Sequence, residues 1–168
     1  MKLRTPLAIV ALSAAVLAGM ALPAAADDTD TTFTLTGGDM TLSVQPTAAL
    51  TDVATGSTAV SGNLGTVAVT DERGGTVTWS VAAVSTTFTG VRGSTSTAVT
   101  YTGGTVAETG TITVADGALT SIDAQAPVVA PTSLSGNNTA SWSPTLVVTM
   151  PAGALADDYS GTVTTSAL

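Results

Sequence analysis

Along most of the chain, apolar and hydroxyl-bearing side chains change places residue by residue. Short runs of this kind occupy residues 32–36 (TFTLT), 40–44 (MTLSV), 66–70 (TVAVT) and 76–81 (TVTWSV). Others lie at 98–101, 111–114, 144–150 and 159–165. A period of two sends alternate side chains to opposite faces, as in a half-buried antiparallel strand. Threonine and valine dominate these runs, and both are β-branched residues that favour extended backbone. Gly, Asp, Asn and Pro separate them. No stretch after residue 26 carries a capped 3.6-residue stripe, and residues 152–156 would make one helical turn at most. Eight or so short strands with regular turn signals predict an all-β fold, an Ig-like antiparallel β-sandwich. Phe33, Trp79, Phe88, Tyr101, Trp142 and Tyr159 fall among or beside the strands, which a disordered Thr/Ser-rich stalk would not require. Residues 27–30 and 51–57 are expected to be a flexible start and a loop. Residues 125–138 hold Pro127, Pro131, Gly136, Asn137 and Asn138 and read as a long inter-sheet connection.

The stretch VTDERGGTVTWSV, residues 69–81, gathers three charges in a sparsely charged chain. Strands 66–70 and 76–81 would pair as a hairpin around Asp71, Glu72, Arg73, Gly74 and Gly75. The two glycines would supply positive φ. Asp71 would accept backbone hydrogen bonds, and Arg73 would neutralise an acid. Trp79 would then fill the core from the second strand.

The first residues change the compartment. Lys2 and Arg4 precede an uncharged apolar run, residues 7–22, then Pro23 and Ala24-Ala25-Ala26. That order predicts a secretory signal peptide over residues 1–26, cleaved between Ala26 and Asp27. The apolar run falls short of the ~20 residues a spanning helix wants. The mature chain is then residues 27–168, one domain's worth, with no membrane insertion after cleavage. No sorting motif or apolar tail closes the sequence, so covalent wall anchoring is not expected. Lys2 and Arg4 would leave with the signal, so Arg73 and Arg92 alone face all 12 acidic residues. Such a chain repels nucleic-acid backbones and anionic lipid.

Available chemistry narrows in the same way. The sequence has no His and no Cys, and its one lysine is Lys2. A Ser or Thr nucleophile lacks its usual base, and transition metals lack their usual ligands. Paired carboxylates could still support glycoside hydrolysis, the candidates being Asp71, Glu72, Glu108, Asp116, Asp123, Asp157 and Asp158. Most of these sit in expected turns, where Asp is ordinary. Asp27, Asp28 and Asp30, and the pair Asp157-Asp158, are the candidates for calcium, but neither group matches an EF-hand loop. No catalytic residue, metal or cofactor is therefore assigned.

Two stretches resemble a known family. LGTVAVTDERGGTVTWSV, residues 64–81, is similar to the first half of the WxL-type cell-surface domain. PAGALADDYSGTVTTSAL, residues 151–168, resembles that family's Pro-x-Gly and Tyr-x-Gly-x-Val ending. The first motif reads Trp79-Ser80-Val81, with Val in place of the family's Leu. Val163-Thr164-Thr165-Ser166 stands where a second Trp motif would lie. The resemblance implies an exported all-β domain, associated non-covalently with the Gram-positive cell wall through Trp motifs. The expected partner is thus a cell-wall polymer or another surface protein. Trp142, beside a Pro/Asn-rich stretch, is the first candidate binding residue, since aromatics are enriched at binding hot spots. Trp79 is the second, by the resemblance alone. The alternative is a structural or adhesive subunit that assembles through β-edge contacts. The closing stretch also suggests that Tyr159 folds its hydroxyl onto the preceding turn, as in a tyrosine corner, and that Gly161 permits a close approach.

Overall fold

The computed structural model describes residues 29–168. The expected signal peptide, residues 1–26, and its expected cleavage point between Ala26 and Asp27 lie outside the described residues. The chain divides into Met1–Thr34 and Leu35–Leu168. Residues 29–34 carry no regular element. The second unit is all-β, with no helix among the described residues.

Its strands in chain order are β1 (Met40–Ser43), β2 (Ala59–Asn63), β3 (Val67–Asp71), β4 (Val81–Ser85), β5 (Thr89–Gly90), β6 (Ala98–Gly104) and β7 (Ala107–Val114). There follow β8 (Gly117–Ser121), β9 (Ala126–Val129), β10 (Pro131–Trp142), β11 (Thr145–Thr149), β12 (Tyr159–Ser160) and β13 (Val163–Ala167). One sheet has the order β1-β3-β10-β7, and a second has β2-β11-β6-β8. A third, β13-β4-β9, joins the second where Ser85 N donates to Ile122 O (2.8 Å), just past β8. β12 and β5 form a short separate pair. Every pairing is antiparallel.

Alternation explains the core. On β3, Val67, Val69 and Asp71 are buried; on β10, Asn138, Ala140 and Trp142 are. The register sets these opposite one another, as Trp142↔Val67, Ala140↔Val69 and Asn138↔Asp71. The second sheet answers with Val99 and Tyr101 on β6 beside Val148 and Leu146 on β11. These inward faces make one continuous apolar cluster, to which the third sheet adds Val81, Ala83, Val128 and Val129.

Four expectations need correction. Residues 66–70 and 76–81 do not form a hairpin. β3 pairs with β1 and β10, whereas β4 pairs with β13 and β9, so residues 72–80 cross between sheets. Gly74 and Gly75 do have positive φ (69° and 70°), and two such residues in succession swing the chain out of its own sheet. Gly136 N donates to Gly75 O (2.7 Å), tying the crossover to β10. Val77, which alternation would set on the same inward face as Trp79, is 58% exposed. Residues 125–138 are not a connection but hold β9 and most of β10, whose register shifts between Ser135 and Asn138 absorb Gly136 and Asn137. Residues 32–36 form no strand. Residues 152–156 stay within the one helical turn expected at most, with a turn at 152–153 and no helix.

Gly110 on β7 shows how tightly that irregularity is fitted. Its φ is +92°, and a Cβ there would lie 2.5 Å from Asn137 O. Gly110→Ala is expected to cost about 1–3 kcal/mol, through left-handed strain and a backbone clash. Gly153→Ala, with nothing within 4 Å of its added Cβ, is expected to change stability little. Urea unfolding of the two variants side by side checks this.

Candidate functional site

Trp142 and Trp79, the two candidate binding residues, both lie in the core, the place the hairpin reading also expected for Trp79. Trp142 and Trp79 are each 3% exposed. Trp142 shares the inward parity of Asn138 and Ala140, so the sheet buries it whatever the polarity of the preceding residues. Its Nε1 donates to Tyr101 Oη (2.8 Å) across the two sheets. Burial raises the Tyr101 phenol above its ordinary pKa, and the bond from Trp142 partly offsets this. Trp79 closes the crossover from within, and its indole N–H has no hydrogen-bond partner among the described residues. Neither side chain is presented to a ligand.

The charged cluster is also structural. Asp71 is buried, at 2% exposure, on the inward side of β3. Arg73 reaches back with Nε to Oδ1 (2.9 Å) and Nη2 to Oδ2 (2.8 Å), and its backbone N–H also donates to Oδ1 (3.1 Å). The side-chain bond to Arg73 is the main cause holding Asp71 below its ordinary pKa, against the opposing effect of burial. Other candidate carboxylates do similar work. Asp123 accepts from Val99 N (2.8 Å), Asp116 from Val106 N (3.3 Å), and Glu108 from Val114 N. Asp157 accepts from Arg92 N (2.6 Å) through Oδ2 and from Asp158 N (3.0 Å) through Oδ1. Five of the seven candidate acids are therefore backbone acceptors, and a carboxylate so engaged supports the fold directly. Among the described residues, no group of three or more His, Cys, Asp or Glu is placed to hold a metal ion.

What sequence reasoning missed is a groove between two connections. The β1–β2 connection, residues 44–58, runs along β2: Thr51 N donates to Ser61 O (2.9 Å). Gly62 makes this possible, since a Cβ there would lie 2.8 Å from Leu50 Cα. The β11–β12 connection forms the facing wall. There Tyr159 Oη donates to Leu155 O (2.7 Å), the hydroxyl-to-turn bond expected of a tyrosine corner. The Phe88 ring packs over Gly161, where an added Cβ would lie 2.8 Å from it, so Gly161 does permit a close approach. Between the walls lies a groove of about 660 Å³, floored by Leu50, Val60, Phe88 and Met150. A second hollow of about 290 Å³ shares Ala48, Leu50, Phe88 and Gly161 with it. Asp52, Asp157 and Asp158 are the charged residues lining the larger groove, and no cation lines either hollow. The sequence signal was weak: two turn-rich segments about a hundred residues apart, each with Ala, Leu and Asp.

Two predictions follow the buried groups. Tyr101→Phe would leave the Trp142 N–H buried and unpaired, and Trp142→Phe would leave the Tyr101 hydroxyl without its donor. Each is expected to lose about 1–3 kcal/mol, with the double variant losing less than the sum. Urea unfolding of the four-member cycle measures the coupling. For Asp71 the native pKa is lowered, so its contribution to stability is complete above the ordinary carboxylate range and fades as pH falls through the native value. Asp71→Asn should therefore be the less stable protein at neutral pH and should show a flatter loss of stability below about pH 4. Unfolding curves taken across that range test it.

No protein-family model, curated protein or solved structure matches the chain, so its function has to be read from the residues themselves.

Proposed function

We propose that the protein is an exported, non-catalytic cell-surface module that binds a cell-wall polymer or another surface protein. The groove between the 44–58 and 150–158 connections carries this reading. It is a concavity held open by backbone hydrogen bonds and glycine contacts, with an apolar floor, as binding sites commonly are. The engagement of five candidate carboxylates with backbone amides supports a binding role over carboxylate catalysis. The likeness of residues 64–81 and 151–168 to the WxL-type domain supports a place at a Gram-positive cell wall. The apolar run before Ala26 supports export.

One feature favours assembly as a second reading. β7 ends its sheet, pairs only with β10, and exposes its first five residues. An eight-residue edge of this kind can accept a neighbouring strand.

Sedimentation with purified Gram-positive cell walls tests the main reading, using residues 27–168. The protein is expected to pellet with the wall, and Leu155→Ser, altering a groove residue that is 49% exposed, to reduce the pelleted fraction. Protein that stays in the supernatant but sediments faster as its concentration rises would replace wall binding with self-assembly.

A further inference from the structure

The groove has a character that narrows its occupant. Its lips carry exposed apolar side chains, with Val53 47% and Leu155 49% exposed, and its floor is apolar and aromatic. Asp52 and Asp158 stand exposed in its lining, and neither side chain has a hydrogen-bond or ion-pair partner among the described residues. Asp157 adds a third negative charge from a fixed position. No Lys, Arg, Asn or Trp lines either hollow, and Gln45, in the smaller one, is their one planar amide. A neutral sugar would leave the negative charges of Asp52, Asp157 and Asp158 uncompensated. A cationic side chain on an apolar stem finds both of its requirements: carboxylates for the charge, and Phe88, Tyr159 and aliphatic surface for the stem.

A second copy of the chain is a poor occupant. After residue 26 its only cations are Arg73 and Arg92, and Arg73 is held by Asp71. The excess of acids also makes two copies repel. The occupant must bring positive charge from elsewhere. The two hollows adjoin through four shared lining residues, and a site of that combined extent suits an extended chain more than a compact small molecule.

We propose that the groove binds an extended basic peptide segment, with lysine or arginine side chains set among apolar ones, belonging to another protein. The proposal rests on the reading of this concavity as a binding surface. Lysine side chains would lie toward Asp52 and Asp158, and the apolar ones would cover Leu50, Val60 and Met150.

The test is fluorescence anisotropy on residues 27–168 with a labelled synthetic peptide alternating Lys and Leu. Companion peptides replace every Lys by Glu, or every Leu by Ser. Asp52→Asn/Asp158→Asn removes two groove charges whose side chains bond to nothing in the fold. Asp39→Asn/Glu72→Gln removes the same charge from exposed positions outside the groove. The Lys/Leu peptide is expected to bind, both companions to bind weakly, and the groove variant to lose roughly five- to tenfold in affinity. The control variant should stay near the parent. Far-ultraviolet circular dichroism confirms that both variants fold. Equal losses in the two variants would reduce the effect to overall charge and overturn the proposal. So would equal binding of the Glu peptide, or no binding at all. Binding of isolated wall glycan strands that is abolished by the groove variant, without peptide binding, would assign the groove to sugar instead. Wall sedimentation of the same variants separates the two ideas. Full wall binding by the groove variant, with no peptide binding by the parent, would sink the peptide proposal and leave the wall-binding reading standing.

Discussion

The hydrogen bond from Trp142 Nε1 to Tyr101 Oη joins the two principal sheets through the middle of the core. Backbone pairing fixes strands within a sheet but says nothing about how one sheet lies on another. In a chain without cysteine, that relation rests on side-chain packing alone. Apolar packing is largely non-directional, whereas a buried N–H to hydroxyl contact of 2.8 Å tolerates little sliding. Trp142 is paired with Val67 on its own sheet, and Tyr101 with Leu146 on the other. The bond thus ties four strands of two sheets to a single stacking arrangement.

The rest of the molecule follows a similar economy of polar groups. With no lysine after residue 26, and only Arg73 and Arg92 as cations there, the acids have few cations to meet. They meet backbone amides instead, at Val99, Val106, Arg92 and Val114. Each of these satisfies a donor at a strand end or turn that the ladders leave open. Where an acid is drawn inward, at Asp71, a bidentate arginine compensates it and carries the charge out to the surface. Glycines at 62, 90, 110 and 161 serve the other need, close approach, and three of these four contacts shape the groove or its walls.

Legibility in the sequence varied with the range of the interaction. The runs at 40–44, 66–70, 98–101, 111–114 and 144–150 all contain strands, because alternation is a local property. The Tyr159 hydroxyl bond spans four residues, and it too was legible. The supposed hairpin failed for a different reason. Val69 and Trp79 both face the core, but alternation reports only facing, and a strand across the sandwich faces the same core as a strand beside it. Trp142 follows polar residues such as Asn138 that have the composition of a loop, yet the register of β10 opposite β3 buries Asn138 against Asp71 and Trp142 with it. The groove was invisible because its walls come from segments that meet only after folding.

The sequence alone therefore determined the all-β class and most strand positions, since β-branched alternation constrains backbone within a few residues. It also determined which chemistry is missing, since residue types need no fold to be counted. The tertiary structure decided which strands are neighbours, that Trp142 is core, and that two distant connections enclose a groove with unpaired acids. Those outcomes depend on contacts between residues far apart in the chain, and no local pattern carries that information.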